Sequence, residues 1–217
     1  TFVLKATGSV PKVGAVFVDP DVALDLKGNS FLIDGNEHKP DGTAGTEPPV
    51  PGIATGIGSP AGSNEAYLLA QIPATNYNQV LGLGGAPSLD EAGGIDLPAV
   101  FESFKATKTK TLAPATYTSP SMGTSSAMEV TYVSGDLQLA GKGKGAGVLL
   151  VEGSVTITGQ FDFEGLVIVL GDVRLSGGGA GVHIYGSLMV GESLTAVDPD
   201  GSEVTVSGTA DILYSSD

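Results

Sequence analysis

Between residues 131 and 191 apolar and polar side chains alternate, and the alternation recurs. Val133-Ser-Gly-Asp-Leu-Gln-Leu-Ala-Gly141 is followed by Val151-Glu-Gly-Ser-Val-Thr-Ile-Thr-Gly159, Val169-Leu-Gly-Asp-Val-Arg-Leu-Ser-Gly177 and Ile184-Tyr-Gly-Ser-Leu-Met-Val-Gly191. Gly135, Gly153 and Gly171 sit 18 residues apart, and Gly186 follows after 15. A period of two marks strands with one buried face. Val151, Val155 and Ile157 point one way, as do Val169, Val173 and Leu175 in the next copy. Eighteen residues make about three short strands with turns, the length of one solenoid coil. The pattern therefore predicts a mainly β fold, a parallel β-helix (β-solenoid), in which each copy completes its neighbour's core. An antiparallel meander is the competing arrangement, but no Asn-Gly or Asp-Gly turn joins the copies.

Two runs, Gly147–Val151 and Gly165–Leu170, are apolar on both faces, as in strands buried on both sides. Val167 and Val169 are expected inside. Leu150, Ile168 and Leu170 then face outward on a wall that something must cover. Val18-Asp-Pro-Asp-Val-Ala-Leu-Asp-Leu-Lys-Gly28 repeats the inward set as Val18, Val22, Leu24 and Leu26, and residues 29–35 continue as a strand. Residues 202–208 and 210–214 add alternating strands. Three parts are expected: an N-terminal strand and first coil over 1–35, an inserted loop-and-helix arm over 36–130, and solenoid repeats with C-terminal strands over 131–217.

In the arm, residues 36–64 read as a long Gly- and Pro-rich loop. A short helix is expected within 65–81, with Tyr67, Leu68 and Ile72 on its apolar side. A clearer one is expected over 96–106. Asp96 is its N-cap, and Leu97, Val100, Phe101 and Phe104 share one face. This helix is the first candidate to cover Leu150, Ile168 and Leu170.

Charge narrows the partners. With 24 acids against 10 bases the net charge is −14, so a phosphate backbone is repelled and nucleic acid is not expected. Five of the ten bases nevertheless fall between 105 and 144. There is no cysteine, which excludes disulfides and thiolate chemistry. No apolar run approaches the roughly 20 residues of a membrane helix. The chain opens on strand-like Thr1–Thr7 without Met, which raises the expectation of a removed upstream segment, the sole route to a membrane. Phe2, Val3 and Leu4 are expected to present an unpaired assembly edge to a neighbouring subunit.

Candidate chemistry is sparse, and no catalytic residue is assigned. His38 and His183 are the only histidines. His183 is expected beside outward-facing Leu150 and Ile168, packed rather than catalytic. Two Asp-rich loops, with Asp34, Asn36 and Asp41, and with Asp198, Asp200 and Ser202, carry oxygens of the kind that bind Ca2+, and equally of the kind that build turns. Asp136 and Asp172 hold equivalent places in their copies, with Ser154 between them and Arg174 nearby. Stacked, the two carboxylates are about 10 Å apart, close to an inverting glycosidase pair. A carbohydrate-binding or carbohydrate-cleaving β-helix is therefore the alternative function; a recurring turn explains the same residues.

Gly147–Val190 resembles the C-terminal region of bacterial PilX-type pilus-assembly proteins, and Gly28–His38 with Pro51–Thr55 is similar to an early segment of that group. The resemblance implies a secreted β domain displayed at the bacterial cell surface, associated with a pilus or filament. It implies self-association or binding to other surface subunits and no catalytic residues. Fold and resemblance together predict an extracellular structural or adhesive subunit. A cytoplasmic bactofilin-like polymer is disfavoured by the long arm.

Overall fold

The computed structural model describes residues 13–20, 22–56, 64–92, 95–191 and 203–216. The fold is mainly β. Short strands come first: β1 (Val16–Val18), β2 (Ala23–Lys27), β3 (Leu32–Asp34) and β4 (Ile53–Thr55). Helix α1 (Asn64–Gln71) and a 3-10 turn (Ala74–Gln79) lead to β5 (Val80–Leu81) and β6 (Leu89–Glu91). Helix α2 (Leu97–Lys105) precedes β7 (Lys110–Leu112), β8 (Ala115–Tyr117), β9 (Ser121–Met122) and β10 (Glu129–Val133). Four long strands follow: β11 (Leu137–Val151), β12 (Val155–Val169), β13 (Val173–Val190) and β14 (Glu203–Leu213).

All described strands join one sheet, and every pairing between them is parallel. Leu137 lies opposite Val155, Val155 opposite Val173, Val173 opposite Val204, and Val204 opposite Leu24. One residue pair further on, Leu139, Ile157, Leu175, Val206 and Leu26 form a second column. Hydrophobic like therefore stacks on like, about 4.8 Å apart, which is what an 18-residue repeat of inward aliphatics requires.

Glycine punctuates the long strands where the pleat must break. Gly141 and Gly159 are paired, and Gly147, Gly165 and Gly186 form another column. Their φ angles run from 99° to 148°, which side chains rarely adopt. A Cβ on Gly165 would also sit 2.1 Å from the Gly147 carbonyl oxygen. On either side of these glycines the inward residues enter one core: Leu137 and Leu139, then Phe161 and Phe163, then Val167 and Val169.

The outward face of the last segments is apolar too. Leu150, Ile168 and Leu170 are buried with Phe17, Met189, Leu97 and Phe101 in a second cluster. Helix α2 supplies the cover: Leu97 and Phe101 are fully buried, and Val100 and Phe104 pack beside them. Asp96 caps it, its side chain accepting the Ala99 N–H. Among the described residues no helix is long and apolar enough to cross a membrane.

Several expectations need correction. The fourth repeat copy was out of step: Gly186 pairs with Gly165, and Leu188 with Val167. The cause is Gly178–Gly181 in β13, an excursion that shifts the register against β12 from Gly159–Gly177 to Phe161–Val182, with a matching shift against β14 from Gly177–Gly208 to Val182–Ala210. The expected loop-and-helix arm also contributes strands, since β4 to β9 all pair into the sheet. Strands of two or three residues are too short to show a period. The N-terminal segment does not begin the stack. Strands β2 and β3 follow β14, and β1 follows the last segment of β13. On α1, Leu68 is buried while Tyr67 is 48% exposed, since the helix buries one narrow stripe.

Candidate functional site

The turns between long strands carry the repeated Asp and Ser, and they bind the layers together. Asp136 Oδ1 accepts the Ser154 N–H at 2.9 Å, Ser154 Oγ accepts the Asp172 N–H at 3.2 Å, and Asp172 Oδ1 accepts the Glu203 N–H at 3.0 Å. Each side chain thus satisfies a backbone donor in the next layer. A shallow groove of about 520 Å³ runs beside this ladder, lined by Pro114, Thr116, Asp136, Gln138, Ser154 and Thr156. Thr116 donates to the Gln138 amide oxygen at 2.8 Å. Its lining holds one carboxylate, Asp136, whose Oδ1 is engaged by backbone. The groove therefore offers no facing pair of acids.

His183 lies elsewhere than expected. It does not align with Leu150 and Ile168 but with Asp162 on one side and Asp211 on the other. Nδ1 is 2.9 Å from Asp162 Oδ1, and Nε2 is 3.6 Å from Asp211 Oδ2. Lys144 reaches Asp162 at 3.2 Å, so Lys144, Asp162, His183 and Asp211 form one outward polar column across four strands. Burial pushes the Asp211 carboxyl up, and His183 opposes that. Tyr185 stacks against His183 with centroids 6.1 Å apart. Its phenol is pushed up by burial and then by the charges of Asp162, Asp211, Asp41 and Glu164. The column escaped the sequence because the four-residue excursion hides it. Aligning Phe161-Asp-Phe-Glu-Gly165 with Val182-His-Ile-Tyr-Gly186 exposes it.

The first Asp-rich loop folds on its own bonds. Asp34 Oδ1 accepts from the Asn36 backbone and side-chain amides at 2.9 and 2.7 Å, while Oδ2 sits 3.0 Å from His38 Nε2. Asp41 takes the Thr43 hydroxyl and N–H, which hold its carboxyl below the usual range. Among the described residues no group of three or more His, Asp or Glu side chains is placed to hold a metal ion. Asp198, Asp200 and Ser202, and the edge Phe2, Val3 and Leu4, lie outside the described residues.

Helix α2 is latched to the sheet at its C-terminus. Lys105 Nζ lies 2.5 Å from Glu152 Oε1 and 3.0 Å from Glu102 Oε1, and 5.2 Å from the Tyr132 ring centre. The hydrogen bonds that Lys105 donates to Glu152 and Glu102 raise its ammonium well above its ordinary value. Burial pushes the Glu152 carboxyl up, but hydrogen bonds to Lys105 and Tyr132 outweigh that and hold it low. A depressed acid stabilises the fold above its unfolded value and loses that contribution as pH falls through the folded one. Lys105→Met is expected to cost about 0.2–1 kcal/mol at neutral pH, the range of a partly exposed pair. The deficit should shrink as pH falls below 4.5, which urea titrations at several pH values would read.

No protein-family model matches the chain, and no curated protein matches it.

Proposed function

We propose that the chain is a non-catalytic structural module, displayed outside the bacterial cell and associated with a pilus or filament, whose sheet winds as a parallel β-helix. The winding is supported by glycine columns at the breaks in the long strands and by one core fed from the segments on both sides of each break. The structural role rests chiefly on the layer-to-layer ladder Asp136–Ser154–Asp172–Glu203. Side chains that could have formed a reactive pair are engaged by backbone instead. His183 likewise sits between two carboxylates of neighbouring strands and approaches no nucleophile among the described residues. The stretch that resembles pilus-assembly proteins, 147–190, forms the middle of the stack.

Protease treatment of intact cells tests the display. The chain should be cleaved or released without lysis and should travel with filaments sheared from the surface. Full protection until lysis, with none in the sheared fraction, would refute the reading.

A further inference from the structure

The two ends of the stack differ in charge. One end is built from β1 to β6 and α1, and residues 13–92 that carry them hold ten acids and two bases. The other is built from β7 to β10 and the start of β11; of the five lysines in residues 105–144, Lys105, Lys110 and Lys144 pair with Glu152, Glu129 and Asp162, and Lys108 and Lys142 are exposed at that end. Within one segment of the sheet, the terminal strands are β6, with exposed Asp90 and Glu91, and β7, flanked by exposed Lys108. Among the described residues each of these strands pairs on one side alone.

Apolar exposure follows the same division. Among the described residues the large exposed hydrophobics are Tyr67, Leu69, Leu83 and Met128. Tyr67 and Leu69 are on α1, which lies across the acidic end. Its Leu68 and the following Ile72 enter the core there, and Gln71 Oε1 accepts the Leu24 N–H of β2. Leu83 follows β5 at that end, and Met128 lies between β9 and β10 at the basic end. Between the ends, the long strands β11 to β14 expose no large hydrophobic residue.

We propose that these two ends are a mutual docking surface, and that the occupant of each is a second copy of this chain, basic end against acidic end. A protein of net charge −14 is repelled by its copies over most of its surface, and the basic end is the place where that repulsion inverts. The contact is heterologous, so it leaves one acidic and one basic end unoccupied and extends to a third copy. Helix α1 makes it a cap packed on an edge rather than an unbroken sheet. The inference rests on the reading of the chain as an assembly module, and it names that module's partner and polarity.

The test uses the purified chain and two charge-reversed variants, with circular dichroism confirming that each folds. One variant carries Lys108→Glu and Lys142→Glu, the other Asp90→Lys and Glu91→Lys, all at exposed positions. Sedimentation velocity at low salt should show the native chain associating with concentration. The association should weaken at least tenfold in 1 M salt, where screening shortens to about 3 Å. Each variant alone should sediment as a monomer, and an equimolar mixture should associate with the two variants in equal proportion. A native chain monomeric at all concentrations, association surviving in either variant, or a mixture that stays monomeric would overturn the proposal. A surface-exposed chain that fails this test removes the contact and leaves display standing. A chain confined inside the cell that passes it removes display and leaves the contact.

Discussion

Phe163→Ala should lower the unfolding free energy by about 3–5 kcal/mol, a large share of the 5–15 kcal/mol typical of a domain. The ring is fully buried and stacks on Phe161 with centroids 6.1 Å apart. It projects toward the layer of β11, where the inward position opposite it is Gly145. A Cβ on Gly145 would come within 2.7 Å of the Phe163 ring, so the glycine makes room for the phenylalanine one layer away. Gly145→Val should therefore destabilise by about 1–3 kcal/mol through overpacking. In the Phe163→Ala background the same change fills the cavity and should cost far less, a coupling of roughly 0.5–3 kcal/mol. Urea midpoints of the four proteins give the cycle. Equal cost of Gly145→Val in both backgrounds would mean that the two residues do not share a space.

The second large effect concerns the covered wall. Phe101→Ala removes a fully buried ring from the helix that shields Phe17, Leu150, Ile168 and Met189. About 3–5 kcal/mol should be lost, and the uncovered wall should bind a hydrophobic dye before the main unfolding transition. Phe104→Ala, at a partly buried position on the same helix, should lose less. Equal midpoints for native and Phe101→Ala proteins, with no added dye binding, would show that α2 does not hold that wall.

How much of this was legible in the sequence depends on length and register. The strands β11 and β12 show their period plainly because each runs 15 residues in constant register with the other, and their pairing follows from the 18-residue spacing. The outward apolar set Leu150, Ile168 and Leu170 could be read because a buried strand face of aliphatics needs a cover, and α2 had the matching stripe. His183 was misplaced for one reason. Matching Gly186 to Gly171 sets His183 15 residues after Ile168, whereas the excursion at Gly178–Gly181 makes the spacing 21 for the rest of β13 and brings His183 to Asp162. The short strands β4 to β9 gave no signal, since two or three residues hold at most one alternation. Nothing local in residues 13–34 says that they stack beyond β14, because that neighbour is separated by most of the chain. The Asp and Ser of the turns were visible as turn chemistry, but only coordinates show that each bonds the next layer rather than its own loop.

Cysteine pairs test the stacking most directly, in a chain that has no cysteine of its own. Gln138, Thr156 and Arg174 are outward and lie in one column on three successive layers. Neighbouring positions in such a column are about 4.8 Å apart, within reach of a disulfide, while two layers are about 10 Å and beyond it. Under mild oxidation, Gln138→Cys with Thr156→Cys and Thr156→Cys with Arg174→Cys should each close a bond within one chain, and Gln138→Cys with Arg174→Cys should stay reduced. Adjacent pairs that remain reduced while the outer pair closes would contradict the stack.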